Sequence, residues 1–314
     1  MKRRSETNTL LIYITNNNKM KKSVFHIALF LGLLLSQTAD GQEKISLRVP
    51  NFVRPLVEKW ASDYQKIHTN VDFQFVSGKS QDNNSNTLSL TTDAEAVSFA
   101  RFAVLPVTTK NSEADRLTAS HRLDAKKLRS LFFVKDELDD DEEETKAEQH
   151  IHIYTGNSQL SASRLYASYL KQETANYKGK KISGDDSFLT TAISRDPLGV
   201  TINSLSNIFD IDNRQLKASL TLLPLDIDKQ GRQTLESGRL DDIITLLEHS
   251  QYDEIPVGRV GFAYNHSNAA INDFVVWILT TGVSDLHHFG LLSLTQKELA
   301  AQKQRVVNND LAQK

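Results

Sequence analysis

The stretch ISLRVPNFVRPLVEKWASDYQKIHTNVDFQFVSGKS, residues 45–80, decides the fold class. Ile45 to Val49 alternates apolar and polar side chains, the period of a half-buried strand. Pro50 to Arg54 breaks that pattern and reads as a loop. Pro55 then suits a first helical position, where a missing N–H leaves no hydrogen bond unmade. Leu56, Trp60, Tyr64 and Ile67 follow at spacings of four, four and three, one apolar face of a helix. VDFQFV (71–76) alternates again, and Ser77 opens a polar loop that is predicted to run through Asn86. Strand, helix, strand is the unit of a parallel sheet covered by helices, with ligand loops at the strand ends.

The rest of the chain continues the alternation. A strand is predicted from Ala96 to Phe99, with a further apolar run from Phe102 to Val107. A helix follows from Asp124 through Phe132. HIHIY (150–154) reads as a strand, Thr155 to Ser158 as a turn, and Leu165, Tyr166, Tyr169 and Leu170 as one helical face. A short helix is expected from Ser187, strands at 199–203 and 220–225, and helices at about 236–249 and 268–281. The tail after Thr295 is polar and helix-prone. Between Asp136 and Glu148 lie nine acidic residues and one lysine, a run that repels itself and reads as a solvated loop.

The amino terminus carries an address. Lys21 and Lys22 precede an apolar run from Val24 to Leu35, too short to span a bilayer comfortably. Ala39 and Gly41 are small residues two apart, as a signal peptidase prefers. Residues 1–41 are therefore read as a signal peptide cut before Gln42. Residues 1–19 form an upstream extension if translation starts at Met20. No membrane span is expected after the cut, and the mature chain should be periplasmic.

Composition excludes several classes. The chain has 314 residues with 37 Lys+Arg against 39 Asp+Glu, which argues against a basic nucleic-acid binder. Residues 1–41 hold six Lys/Arg and two Asp/Glu, so cleavage takes the net charge from −2 to −6. No cysteine is present, so disulfides, thiolate metal sites and a cysteine nucleophile are absent.

Catalytic patterns are missing too. No G-x-S-x-G elbow occurs, and Gly78-Lys79-Ser80 lacks the glycine that a P-loop needs five residues earlier, where Phe73 stands. His150, His152 and the adjacent His287 and His288 show no metal-ligand spacing. Asp185-Asp186 and Asp241-Asp242 read as helix-start charges. The chain is accordingly not expected to be an enzyme, and no cofactor or metal is implied. A hydrolase built on Ser158 would need a His and an Asp brought to it by the fold. More informative is that Asn51-Phe52, Ser77 to Ser80 and Thr155 to Ser158 all follow predicted strands, two of them directly before helices. Helix starts offer free N–H groups to anions, although Asn and Ser there also serve simply as caps.

The same positions carry a family resemblance. VPNFVRPLVEKWASDYQK (49–66), FVSGKS (75–80), RFAVLPVTTKN (101–111), YTGNSQLSASRLYASYL (154–170) and DPLGVTINSL (196–205) together resemble the phosphate-binding proteins of bacterial ABC phosphate importers. These are type II periplasmic solute-binding proteins. The resemblance implies an α/β fold of two lobes, with mixed five-stranded sheets flanked by helices and two crossover hinge strands. Residues 42–104 and 258–314 would form one lobe and 105–257 the other. Crossing is implied near Phe102 to Val107, and near either Leu220 to Leu225 or Gly258 to Tyr264.

Carried over by position, the family's ligand contacts are partly altered. Phe52 is kept, but Asn51 replaces a hydroxyl residue before it. Ser80 after Gly78 fits the second loop. Arg101 stands where the family has an Asp that accepts a proton from phosphate. Ile153 stands where an Arg clamps phosphate, and Gly156-Asn157-Ser158-Gln159 replaces G-S-G-T. An Arg–phosphate pair is about twice as strong as a neutral hydrogen bond, so its loss matters unless Arg101 compensates. The expected ligand set is Asn51, Phe52, Gly78, Ser80, Arg101, Gly156, Asn157 and Ser158. The expected function is capture of phosphate or a similar small oxyanion by a monomer, for an ABC permease. The alternative is a degenerate member serving as a cell-envelope interaction or sensory module.

Overall fold

The computed structural model describes residues 42–76, 85–134, 150–158 and 160–312. The signal segment, Gly78, Ser80 and the acidic run 136–148 lie outside the described residues. The strands are β1 (Glu43–Arg48), β2 (Val71–Phe75), β3 (Thr87–Thr91), β4 (Val97–Thr109), β5 (His152–Gly156), β6 (Lys180–Ile182), β7 (Gly199–Ser204), β8 (Phe209–Asp210), β9 (Gln215–Leu216), β10 (Leu220–Leu222), β11 (Val257–Ala263) and β12 (Leu292–Ser293).

The opening unit forms as its pattern predicts. β1 and β2 pair in parallel and are joined by the helix Arg54–Gln65. That helix buries Leu56, Val57, Trp60, Ala61 and Tyr64 against the sheet, with Pro55 in its first turn. Ile67 does not belong to this face: it lies past the helix end and is 65% exposed. The core here is aromatic. Trp60 meets Phe99 edge-on at 5.1 Å, and its indole N–H donates to the Gly282 carbonyl at 2.9 Å.

Two strands differ from expectation. The polar loop after Ser77 ends before β3, whose TLSLT alternation is short but regular, and β3 pairs in parallel with β1. The two apolar pieces around Arg101 are one strand, β4, of 13 residues. Arg101 does not break it because that position pairs with Arg259 on one side and Leu292 on the other. The helix expected near 236–249 is also two helices, Lys229–Ser237 and Leu240–His249. Gly238 between them adopts φ +63°, a conformation that glycine takes without steric cost.

β4 organises the molecule. The sheet order is β2-β1-β3-β11-β4-β7-β5-β6, with β10 and β12 also pairing to β4. Val97 to Ala103 pairs antiparallel with β11, whereas Val104 to Thr108 pairs antiparallel with β7. The partner therefore changes between Ala103 and Val104, and one buried strand belongs to two half-sheets. Each half holds five strands when β4 is counted in both, with the two-residue β12 added to the first. The chain returns to the first half at Pro256, whose carbonyl accepts the Val104 N–H at 3.1 Å, just before β11 begins. β10 pairs only with the second part of β4, so β11 is the strand that follows the return crossing. This is the mixed α/β, two-half architecture of the type II periplasmic binding proteins. Among the described residues no single helix is long and apolar enough to cross a membrane.

Candidate functional site

A cleft of about 710 Å³ lies where loops from the two halves face each other. The first half contributes Arg48, Asn51, Thr91 and Asp93 to its lining, and the second contributes Ser158, Arg164, Gly184 and Asp185. Arg48 ends β1, immediately before the loop to the helix Arg54–Gln65. Arg164 is the third residue of the helix Ala162–Tyr169 and is exposed toward solvent.

The sequence-predicted residues divide between this cleft and other places. Asn51 and Ser158 line it, from opposite halves. Phe52 follows Asn51 but is buried, its ring 5.6 Å from that of Phe102, so its side chain belongs to the core. Asn157 donates through its side-chain amide to the Ser183 hydroxyl at 3.1 Å. Gly78 and Ser80 lie outside the described residues. Arg101 is not among the lining residues; its Nε donates to the Ser293 carbonyl at 2.9 Å, tying β4 to β12. Arg48 and Arg164 are the lining cations, and the sequence reading passed over both. The signal available was positional: Arg48 ends a strand just before a loop, and Arg164 lies in the first turn of the helix that follows one.

The loop 155–158 leads into a helix start at which side chains of the protein accept two of the first N–H groups. Gly156 N–H donates to the Ser163 hydroxyl at 2.9 Å, and Arg164 N–H donates to the Ser161 hydroxyl at 3.2 Å, the N-cap bond. The first helical donor, Ala162 N–H, donates to Asp186 Oδ2 at 2.5 Å. Asp186 stands at a helix start as expected, the N-cap position of the helix Ser187–Ser194; it is buried, and its backbone carbonyl accepts Asn203 Nδ2 at 2.7 Å. Burial, against the Ala162 hydrogen bond and reinforced by the charge of Asp185, pushes its carboxyl up to about 6. Gly156 makes room for this carboxylate: a Cβ there would stand 2.2 Å from Asp186 Oδ1. A carboxylate of the chain thus holds the place at which a helix start would receive an external anion.

The histidines noted in the sequence have protein partners. His152 Nδ1 is 2.7 Å from Asp196 Oδ2, which also accepts the Tyr154 hydroxyl at 2.8 Å. His287 Nε2 lies 2.8 Å from Glu248 Oε1 and 3.0 Å from the Ser293 hydroxyl. Glu248 and Ser293 thus meet the same ring nitrogen. A relay needs base and nucleophile on opposite ring nitrogens, so this cluster does not form one.

No protein-family profile matches the chain, and no curated protein matches it. Solved structures do. The chain is similar to an ABC-type phosphate transport receptor from Vibrio cholerae, at 10% identity and TM-score 0.52, over 80% of this chain and 100% of that one. It is also similar to a putative phosphate ABC transporter substrate-binding protein with bound phosphate from Clostridium perfringens, at 11% identity and TM-score 0.52. That match covers 81% of this chain and 100% of the other. Likeness at this identity concerns the fold.

Proposed function

We propose that this chain is an exported solute-binding protein that captures a small solute with an anionic group between its two halves. It would pass that solute to an ABC-type permease and carry out no bond chemistry. The observation that carries this reading is the cleft itself: both halves line one cavity, and each brings a guanidinium, Arg48 or Arg164. Arginine suits the task because its planar donors match carboxylate and phosphate geometry. Asn51 and Ser158 add neutral donors from opposite walls. Phosphate or a similar oxyanion is the ligand that the family resemblance suggests. Function in this reading is closure of the two halves about β4 and the return crossing.

Two observations favour a second reading, a cell-envelope interaction or sensory module that imports no phosphate. The Ala162 amide is taken by the Asp186 carboxylate, and Arg101 is held by Ser293 rather than facing the cleft. Calorimetric titration with phosphate, sulfate and small carboxylates separates the two. The solute-binding reading expects heat with at least one of them, reduced roughly tenfold or more in affinity by Arg164→Ala. Absence of heat with all of them overturns it in favour of the second.

A further inference from the structure

Residues on both sides of the contact between Asp186 and Ala162 line the cleft. Leu160 and Arg164 flank Ala162 in sequence, and Gly184 and Asp185 precede Asp186. The group that fills this contact is an anion. Asp186 Oδ2 accepts the Ala162 N–H at 2.5 Å, where a helix start would otherwise offer its first N–H groups to a negative ligand.

Packing alone does not ask for a charge here. Asp186 is 6% exposed, and its Oδ1 has no hydrogen-bond partner among the described residues. It stands at the N-cap position of the helix Ser187–Ser194 without making a side-chain cap hydrogen bond. An asparagine of the same shape would accept the Ala162 N–H with no charge to desolvate. Burial and the neighbouring Asp185 instead push the carboxyl up, so its charge is held at neutral pH against desolvation. What a carboxylate does here that an amide would not is repel a second anion from the same N–H groups.

We propose that Asp186 is a built-in competitor of the solute's anionic group: its carboxylate holds the start of the helix Ala162–Tyr169 and bars small oxyanions from it. Capture of an anionic group then falls to the guanidinium groups of the lining, and favours solutes that do not need the helix start. This inference rests on the reading of the cleft as a solute site and names a residue that sets its selectivity.

The test is calorimetric titration of the parent chain, Asp186→Ala and Asp186→Asn with sulfate and with phosphate, the Ala162 amide being followed by nuclear magnetic resonance. Asp186→Ala should bind these anions roughly ten- to a hundredfold more tightly than the parent, the gain of one N–H donated to a charged acceptor. Asp186→Asn should gain less, because its amide oxygen still accepts the N–H. Sulfate should move the Ala162 amide resonance in Asp186→Ala and leave it in place in the parent. Thermal unfolding shows that each variant is folded; should Asp186→Ala not be, Asp186→Ser, which keeps a favoured N-cap residue, takes its place with the same expected gain. A folded variant that gives no heat with either anion, or whose affinity stays within about twofold of the parent, overturns the inference. So does a gain in affinity with the Ala162 resonance unmoved. The solute-binding reading is judged on the parent: heat that Arg164→Ala diminishes supports it whatever Asp186→Ala does. Absence of heat with every solute in the parent overturns that reading even where Asp186→Ala gains sulfate.

Discussion

Replacing Gly156 by alanine tests whether the buried Asp186 carboxylate joins the loop after β5 to the helix Ala162–Tyr169. The added Cβ would stand 2.2 Å from Asp186 Oδ1 and 3.1 Å from Ser161 Cβ, so the carboxylate must move. It is tethered at two points, by the Ala162 N–H at 2.5 Å and by Asn203 Nδ2 at 2.7 Å on its backbone carbonyl. Forcing atoms into a packed interior costs about 1–3 kcal/mol. Loss of a hydrogen bond to a charged acceptor costs about 1.5–3 kcal/mol. Gly156→Ala should therefore destabilise the fold by roughly 3–5 kcal/mol at neutral pH. Urea unfolding followed by the fluorescence of Trp60 and Trp277 measures it. On an Asp186→Ala background the clashing oxygen is gone, and the same substitution should cost less than about 1 kcal/mol. A cost within about 0.5 kcal/mol of zero in the parent, or equal costs in both backgrounds, would refute the reasoning.

Two further outcomes follow from titrating groups. Burial raises Asp186 from an ordinary 3.8 to about 6, so the folded chain holds this proton to higher pH than the unfolded chain does. Stability from this group is greatest below about pH 4 and falls by about 3 kcal/mol as pH rises through 6. Asp186→Asn should flatten the difference in melting temperature between pH 4 and pH 7, and an unchanged profile contradicts the assignment. At the start of the helix Gln296–Ala312, Thr295 and Glu298 form a reciprocal capping box, with both Thr295 donors on Glu298 Oε2. Partial burial would raise the Glu298 carboxyl, but the Thr295 hydrogen bonds and Arg259 outweigh it and hold it at about 2. Its stabilisation is present above 4.5 and lost as pH falls toward 2. Thr295→Ala should cost about 1 kcal/mol at pH 7 by thermal unfolding and less at pH 2; equal costs at both refute the cap.

Much of the fold was legible because period and capping act locally. The alternation of 45–49 and 71–76 and the apolar face of Leu56, Trp60 and Tyr64 specified the first parallel unit without tertiary information. The helix beginning after Asn268 was readable for the same reason: Asn268 Oδ1 accepts the Ile271 N–H at 2.9 Å. β3 and the continuity of β4 were less legible. A five-residue alternation among Asn and Ser, and an arginine inside an apolar run, become strands only when neighbours supply the hydrogen bonds. The cleft was half legible. Asn51 and Ser158 sit in loops that strand-end reasoning selects. Arg164 lines the cleft from inside a helix, and its place there depends on which way that helix faces. Asp185 and Asp186 both fell at a helix start as read, but which of the two is buried was not legible from their adjacency. Burial of one of them is decided by Gly156, which lies thirty residues earlier.

Closure of the two halves on a solute is most directly measured as a distance. The chain contains no cysteine, so Ala94→Cys and Lys181→Cys place two spin labels uniquely, one on each half beside the cleft. With the titrant that gives the largest heat at saturation, the label-to-label distribution should shift to shorter separation. Adding Arg164→Ala should abolish that shift at the same titrant concentration. A distribution that stays the same while the solute is bound would contradict capture between the halves.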